Sequence, residues 1–219
     1  MSGDPGRDPE EWPSRRLSQA IAEGDGISVM PVLAGASAHQ LSDIARAGAE
    51  GIVVPSVDVV TAVREHTDLP ILLQASATSI EMLKQARRAG ADAVRLVFEE
   101  TSGNAQVLSA LYTEAAKLDL DCPLDVRDER ELAKALELID PEILVLSERG
   151  REKDERDLDR TLALLADVPA GKLVISQGRV DTREQVLELE GAGVDALTVD
   201  ERVASEAVAD IVSALVGRA

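Results

Sequence analysis

The segment Arg-Ala-Gly-Ala-Asp-Ala-Val-Arg-Leu-Val at residues 88–97 decides the fold of this 219-residue chain, because variants of it occur twice more. They are Arg-Ala-Gly-Ala-Glu-Gly-Ile-Val-Val at 46–54 and Gly-Ala-Gly-Val-Asp-Ala-Leu-Thr-Val at 191–199. The third residue of each copy is a glycine, which readily adopts the left-handed backbone that ends a helix. The apolar run that follows suits a buried parallel strand. A helix leading into a buried strand, repeated along a chain, is typical of an α/β barrel or a doubly wound sheet.

Outward from these repeats, eight apolar runs of strand length alternate with eight amphipathic stretches of helix length. The predicted strands are 27–33, 50–55, 69–73, 92–98, 121–126, 142–146, 171–176 and 195–199. The predicted helices are 37–47, 57–66, 78–89, 104–118, 129–139, 157–166, 182–192 and 203–217. Strands recur about every 22 residues, which is one strand–helix unit, and eight such units close a TIM barrel. We therefore predict an α/β fold of the (βα)8 TIM-barrel class, with a doubly wound sheet as the alternative.

Composition excludes several classes of function. The formal net charge is −18, with 41 acidic residues against 23 basic ones, so nucleic acid is not an expected partner. No apolar run reaches the roughly 20 residues that a membrane span needs, so no membrane partner is expected. Cys122 is the single cysteine, which excludes an internal disulfide and indicates a reducing compartment. We expect a cytoplasmic protein.

The domain organisation is simple. Residues 1–13, which include three prolines, are predicted to be a flexible leader. Residues 14–219 are predicted to form one compact barrel, because no linker-like stretch divides them. No cluster of His, Cys and Asp has the spacing of a metal site, and the sequence predicts no cofactor.

The functional side chains of a TIM barrel lie at the carboxyl ends of its strands. The predicted strand ends hold Met30, Val32, Pro55, Ser56, Gln74, Glu99, Glu100, Asp125, Arg127, Ser147, Arg149, Ser176, Gln177, Gly178, Arg179, Asp200, Glu201 and Arg202. These are the positions at which we look for a site.

Four segments of the chain resemble the indole-3-glycerol-phosphate synthase family of tryptophan-pathway barrels. The segments are Leu-Asp-Val-Arg-Asp-Glu-Arg-Glu-Leu at 124–132, Ser-Glu-Arg-Gly-Arg-Glu-Lys-Asp-Glu-Arg-Asp-Leu-Asp-Arg-Thr at 147–161, Leu-Val-Ile-Ser-Gln-Gly-Arg-Val-Asp-Thr-Arg-Glu at 173–184 and Asp-Leu-Pro-Ile-Leu-Leu-Gln at 68–74. The resemblance extends well over 66–219 and weakly over 14–65. It implies a (βα)8 barrel of the ribulose-phosphate-binding type and a carbon–carbon lyase.

The resemblance also implies roles for single positions, and most of these positions differ here. The family's strand-three lysine, the acid of the ring closure, falls on Gln74, which cannot donate a proton at a useful pH. The strand-one glutamate and lysine fall near Met30 and Val32, which cannot anchor a carboxylate. The strand-five glutamate falls on Asp125, which keeps the carboxylate, and a strand-six arginine is retained as Arg149.

Positions on strands six to eight differ as well, among them the two that contact phosphate in the family. The strand-six asparagine falls on Ser147, and the strand-seven glutamate falls on Gln177. The phosphate-contacting serine becomes Gly178, the next glycine becomes Arg179, and the strand-eight glycine becomes Asp200. Because Asp200 places negative charge where a phosphate would sit, we expect phosphate to bind poorly and Arg179 to pair with Asp200.

Three functional hypotheses follow, and the sequence leaves open whether the chain is an enzyme. The first is a member of the family that has lost the ring-closing lyase activity and serves as a binding, regulatory or scaffold protein, with a small molecule or a pathway enzyme as its partner. The second is altered chemistry on a small non-phosphorylated or cationic ligand, with Asp125 as base and Arg149 as carboxylate clamp. The third is an authentic synthase that uses displaced groups such as Glu99 or Arg179. The candidate catalytic residues are Asp125 and Arg149, and the candidate ligand-binding residues are Ser147, Ser176, Gln177, Arg179 and Asp200.

Overall fold

The computed structural model describes residues 12, 13, 15–98, 105–147, 157–199 and 208–217. In these residues the strands are β1 (Ser28–Pro31), β2 (Ile52–Val54), β3 (Ile71–Leu73), β4 (two segments, Ala93–Val94 and Leu96–Val97), β5 (Leu124–Val126), β6 (Ile143–Ser147), β7 (Leu173–Gln177) and β8 (Ala196–Val199). The helices are α1 (Leu17–Glu23), α2 (Ala38–Ala47), α3 (Val57–Arg64), α4 (Ile80–Ala89), α5 (Ala105–Lys117), α6 (Glu129–Leu138), α7 (Asp157–Leu165), α8 (Arg183–Ala192) and α9 (Val208–Val216).

The strands form a closed ring, and every strand pair in the described residues is parallel. The first and last strands meet, with Ser28 opposite Ala196. A bridge between Val32 and Val53 joins β1 to β2, and the two segments of β4 pair with β3 on one side and β5 on the other. A doubly wound sheet is open and would not pair β1 with β8. The predicted (βα)8 barrel is therefore confirmed.

The apolar core has two layers, because successive side chains of a strand point to opposite faces. The outer layer lies between strands and helices and contains Val29, Leu73 and Val174. The inner layer fills the barrel and consists of Leu17, Ile21, Met30, Val32, Val53, Leu72, Ala93, Ile143, Val145, Ile175 and Ala196. This alternation decides which residue at each strand end faces the barrel mouth.

The repeated segment builds the amino-terminal end of the barrel. As predicted, its glycines end helices in the left-handed conformation, with φ of 103° at Gly48, 98° at Gly90 and 103° at Gly193. The acidic residue that follows ties its strand to the neighbouring one. Asp195 Oδ2 accepts a hydrogen bond from the Val174 N–H at 2.7 Å. Burial raises the pKa of the Asp195 carboxyl, and this hydrogen bond offsets part of the increase.

The short helix α1 closes the amino-terminal end of the barrel. Leu17 and Ile21 are 0% and 4% exposed and belong to the inner layer of the core. The Ser18 N–H donates to Asp121 Oδ2 at 2.8 Å, and Arg16 forms an ion pair with Asp121 Oδ1 at 2.8 Å. Most of the leader, residues 1–11, lies outside the described residues. The carbonyl of Trp12 accepts a hydrogen bond from Arg87 Nη2 at 2.8 Å.

Among the described helices, none combines the length and the apolar character required to cross a membrane.

Candidate functional site

Four polar side chains from four strands meet inside the carboxyl-terminal half of the barrel. Arg95 Nη1 lies 3.2 Å from Asp125 Oδ2 and donates to Gln177 Oε1 at 3.1 Å. The Ser147 hydroxyl donates to Asp125 Oδ1 at 2.5 Å. The residues come from β4, β5, β6 and β7, and we call them the mouth network. They connect the strands on one side of the ring across its interior.

Strand alternation places these side chains inside the barrel. Ala93 faces the inner layer, so Arg95, two residues later, faces it as well. Ser147 also faces inward, because it lies two residues after Val145 of the inner layer. Gln177 faces inward because it lies two residues after Ile175. Arg95 separates the two segments of β4, but its backbone still forms hydrogen bonds. Its N–H donates to Leu73 O at 3.1 Å, and its carbonyl accepts from the Ala77 N–H at 3.0 Å.

The mouth network is largely removed from water. The Asp125 side chain is 0% exposed, and the Arg95 side chain is 14% exposed. Burying a single charge is costly, whereas a charge that is paired and hydrogen-bonded can be held in the interior. Asp125 meets this condition with one oxygen on Arg95 and the other on Ser147. The pair is therefore a fixed dipole, with its partly exposed guanidinium the more accessible end.

Three of the predicted site residues, Asp125, Ser147 and Gln177, lie together in the mouth network. Ser176 is not brought into this cluster. It is 2% exposed, and it lies on the outward face of β7 with Val174, because it is adjacent in sequence to the inward Gln177. A strand buried on both faces gives no alternation in hydrophobicity, so the sequence could not distinguish these two positions.

Two arginines at strand ends turn away from the barrel axis. Arg179 Nε contacts Asp181 Oδ2 at 2.5 Å, and both side chains are more than half exposed. Arg127 Nε contacts Glu131 Oε1 at 3.0 Å on helix α6. The remaining predicted site residues, Arg149 and Asp200, lie outside the described residues, as do Glu99, Glu100, Glu201 and Arg202.

Arg95 is the functional candidate that sequence reasoning missed. The signal was present, because Arg95 is the only charged residue in the run Ala-Val-Arg-Leu-Val-Phe at 93–98. A charge inside a strand that is otherwise apolar must face a polar partner in the interior. Its partners could not be read from the sequence, since they are 30 and 82 residues away along the chain.

The cation of the mouth network, Arg95, is suited to binding and charge stabilisation. A guanidinium remains protonated at every pH at which proteins are folded, so it donates hydrogen bonds but does not transfer protons. On the other side of the ring, the inward strand-one residues Met30 and Val32 are 0% and 8% exposed and cannot ionise. In the part of the chain that the structure describes, no group of three His, Cys, Asp or Glu side chains could hold a metal ion.

The chain was compared with protein families and with curated proteins. The model of the family described as Indole-3-glycerol phosphate synthase matches residues 50–214. The indole-3-glycerol phosphate synthase of a Polaromonas species is 34% identical over 146 residues, which are 67% of this chain and 54% of that protein. The enzyme of the same name from Campylobacter fetus is 26% identical over 146 residues, covering 67% of this chain and 55% of that protein. The chain thus spans about half the length of the curated relatives it matches.

Solved structures support the architecture. A 3-hexulose-6-phosphate synthase superposes with a TM-score of 0.69 at 15% identity, covering 86% of this chain and 98% of that chain. The tryptophan synthase α-subunit of Pyrococcus furiosus superposes with a TM-score of 0.63 at 17% identity, covering 87% of this chain and 98% of that chain. At these identities the likeness concerns the fold alone.

Proposed function

The chain belongs to the indole-3-glycerol phosphate synthase family, and from this premise we propose that it is a small-molecule-binding barrel that has lost the ring-closing lyase reaction. The observation that carries the proposal is the replacement of the interior acid. Gln74 occupies the position of the family's strand-three lysine, and the interior cation of the described mouth is Arg95 on the next strand, paired with Asp125.

The change from lysine to arginine alters what the cation can do. Burial can lower the pKa of a lysine ammonium until it gives up its proton near neutral pH, which suits a general acid. A guanidinium does not do this, and its planar array of donors suits the recognition of a carboxylate or another planar oxyanion. Arg95 follows β3 closely, since its N–H donates to Leu73 O at 3.1 Å. A cation is thus still present inside the barrel, but it lies on β4 instead of β3, and as a guanidinium it serves binding.

The carboxylate of Asp125 also has a structural role. Asp125 replaces the family's strand-five glutamate and is 0% exposed. Its two oxygens accept from Arg95 and from the hydroxyl of Ser147. Asp125 therefore supports the position of Arg95 better than it supports general-base catalysis.

The location of the mouth network favours a small molecule over a pathway enzyme as the partner. The four side chains lie inside the barrel, where the surface of another protein cannot reach them, and the side chain of Arg95 is still 14% exposed. We propose a cytoplasmic location as well. The single cysteine, Cys122, is a free thiol, which suits a reducing compartment.

A second candidate function is altered chemistry with Asp125 as the base. It is favoured by the retained carboxylate and by the Ser147 hydroxyl 2.5 Å from it, which could be activated as a nucleophile. The third hypothesis, an authentic synthase with displaced groups, draws less support. Arg179 is bound to Asp181, and Glu99 lies outside the described residues.

The proposal is tested by assaying the purified protein with the family's substrate, the carboxyphenylamino-deoxyribulose phosphate, and following the fluorescence of the indole product. The synthase from Campylobacter fetus serves as the positive control. We expect no product above the buffer blank. Turnover of about 1 per second or more, an ordinary enzymatic rate, would overturn the proposal.

A further inference from the structure

A groove at the amino-terminal end of the barrel, opposite the mouth network, has the lining of a binding site. It lies between helix α1 and the segments that lead into β6 and β7, and its volume is about 460 Å³. Cavities of this size are typical of sites for small ligands. We propose that the groove binds a small organic cation, a primary amine with an apolar body. The inference goes beyond the proposed function and does not depend on the loss of the lyase reaction.

The charge beside the groove is negative. The guanidinium of Arg16, which lines the groove, lies 2.8 Å from Asp121 Oδ1 and 3.3 Å from Asp119 Oδ1. It also lies 3.7 Å from Glu142 Oε2. Partial burial lowers the pKa of Arg16, but the three carboxylates raise it, and the net shift is upward. One cation therefore faces three carboxylates, so a positively charged ligand is attracted to the groove.

Glu142 is the carboxylate that is placed to bind the ligand. Both oxygens of Asp121 are used, since Oδ1 contacts Arg16 and Oδ2 accepts from the Ser18 N–H at 2.8 Å. Glu142 lines the groove, and its side chain is 58% exposed. Its distance of 3.7 Å from Arg16 is longer than a hydrogen bond. An ammonium group in the groove can therefore approach Glu142 without displacing a close partner.

Two neutral acceptors lie beside Glu142 in the lining. Ser18 and Ala22 are four residues apart and share the face of α1 that lines the groove. Ser18 is 6% exposed, yet its hydroxyl has no hydrogen-bond partner among the described residues. Gln19 Nε2 donates to Glu23 Oε1 at 2.9 Å, which leaves the amide oxygen of Gln19 as an acceptor. A primary ammonium has three donors, and the groove offers one carboxylate, one hydroxyl and one amide oxygen to receive them.

The lining also separates the classes of ligand. An anion would add to the negative charge, and a neutral molecule would leave that charge without a partner. A metal ion does not fit, because no three His, Cys, Asp or Glu side chains in the described part of the chain are placed to hold one. Leu173 and Ala22 add an apolar surface to the lining, and Leu173 packs against the inner layer of the core. This surface suits a hydrocarbon body attached to the ammonium group.

The test uses the full isotope-labelled chain and phenethylamine as the probe, titrated to millimolar concentration in an amine-free buffer and followed by NMR. We expect the backbone amide signals of Ser18, Gln19 and Gly171, which line the groove, to shift with saturation. Phenethyl alcohol has the same body without the charge and should bind about fivefold more weakly, the usual value of a partly exposed ion pair. Hydrocinnamate, with a carboxylate on the same body, should cause no shift at these residues.

Two variants, each with a matched control, place the amine in the groove. Glu142→Gln should weaken binding of phenethylamine at least about threefold. Glu188→Gln makes the same change in net charge at an exposed position on helix α8 and should bind as the parent does. Ala22→Trp fills the groove from an exposed position of α1 and should abolish binding. Ala110→Trp adds the same side chain at an exposed position of α5 and should have no effect.

Three results would overturn the proposal. They are the absence of saturable shifts at the groove, binding of phenethyl alcohol as tight as that of the amine, and unchanged binding of the amine in Glu142→Gln. If Ala22→Trp does not fold, the Glu142→Gln and Glu188→Gln pair decides, because both replace exposed side chains. The assay for the indole product measures chemistry at the other end of the barrel, so failure of this proposal and failure of the proposed function can be distinguished.

Discussion

At the scale of single residues, Gly90 shows why the repeated segment needs a glycine. It ends helix α4 with φ of 98°, and an added Cβ would lie 2.5 Å from Arg64 Cγ and 2.6 Å from Cδ. Arg64 cannot easily move, because it is buried and forms a 2.7 Å ion pair with Asp92. The glycine therefore serves both the left-handed turn and the packing of a buried arginine.

This close approach leads to a paired prediction. Gly90→Ala should lower the free energy of unfolding by about 2–4 kcal/mol, since it adds overpacking to the cost of left-handed backbone. Gly193→Ala is the matched control, with φ of 103° and nothing within 4 Å of the added Cβ. It should cost about 1 kcal/mol, from the backbone alone. Urea denaturation measures both losses, and equal losses would contradict the proposed role of Arg64.

Cys122 is predicted to be chemically inert in the native protein. Burial raises the pKa of its thiol to about 12, because the thiolate loses its hydration and also faces Asp121. The reactive thiolate is therefore scarce at pH 8. A colorimetric thiol reagent should label Cys122 only after denaturation. Rapid labelling of the folded protein at pH 8 would show that the thiol is accessible.

The sequence could predict the roles of residues whose partners are close along the chain. The left-handed glycines follow from a repeat that can be read along the chain, and all three are found. Arg179 contacts Asp181, two residues away in sequence, whereas Asp200, its predicted partner, lies outside the described residues. Arg95 was overlooked because its partners lie on other strands. Such contacts depend on the closure of the barrel and cannot be read from spacing.

At the scale of elements, helix α1 is an integral part of the barrel rather than an appendage. The family match begins at residue 50, so α1 lies outside it, yet its side chains fill the amino-terminal end of the inner core layer. The helix has only seven residues, too few to be stable alone. Its stability therefore comes from packing and from the contacts that Arg16 and Ser18 make with Asp121.

Substitutions within α1 test this view. Leu17→Ala removes a side chain that is 0% exposed and should lower the free energy of unfolding by about 2–5 kcal/mol, the usual cost of a cavity in a core. Gln19→Ala, two residues along the same helix, changes an exposed side chain and should alter stability by about 0.5 kcal/mol or less. Urea denaturation of both variants gives the comparison. A loss in Leu17→Ala as small as that in Gln19→Ala would mean that α1 does not contribute to the core.

The boundaries of the elements could be predicted from the sequence to within a few residues. The face of the strand on which each side chain lies could not. The predicted strand 92–98 is observed as Ala93–Val94 and Leu96–Val97, and the break falls at Arg95. The strands are apolar on both faces, so hydrophobicity does not mark the inner side. Only the closed ring identifies Gln177, rather than Ser176, as the residue that faces the mouth.

At the scale of the whole molecule, the family's barrel is retained, and we propose that the chemistry at its mouth is changed. The ring of eight strands, its parallel pairing and the family match over residues 50–214 place the chain firmly in its family. Inside that ring, Arg95 pairs with Asp125. The resemblance implies that Met30 and Val32 stand near the strand-one groups and that Gln74 stands at the lysine position. A fold tolerates such replacement because its stability comes from the two apolar layers and not from the polar mouth.

The central claim, that the ring-closing reaction is lost, is tested most directly by a single-turnover experiment. The protein and the carboxyphenylamino-deoxyribulose phosphate are mixed in equal amounts, and product is separated by chromatography over several hours. This removes slow product release from the comparison, so only the chemical step is observed. The account predicts no indole product beyond that formed in buffer. Conversion of one equivalent of substrate would contradict it, because it would show that the Arg95–Asp125 mouth still supplies the acid and base that ring closure needs.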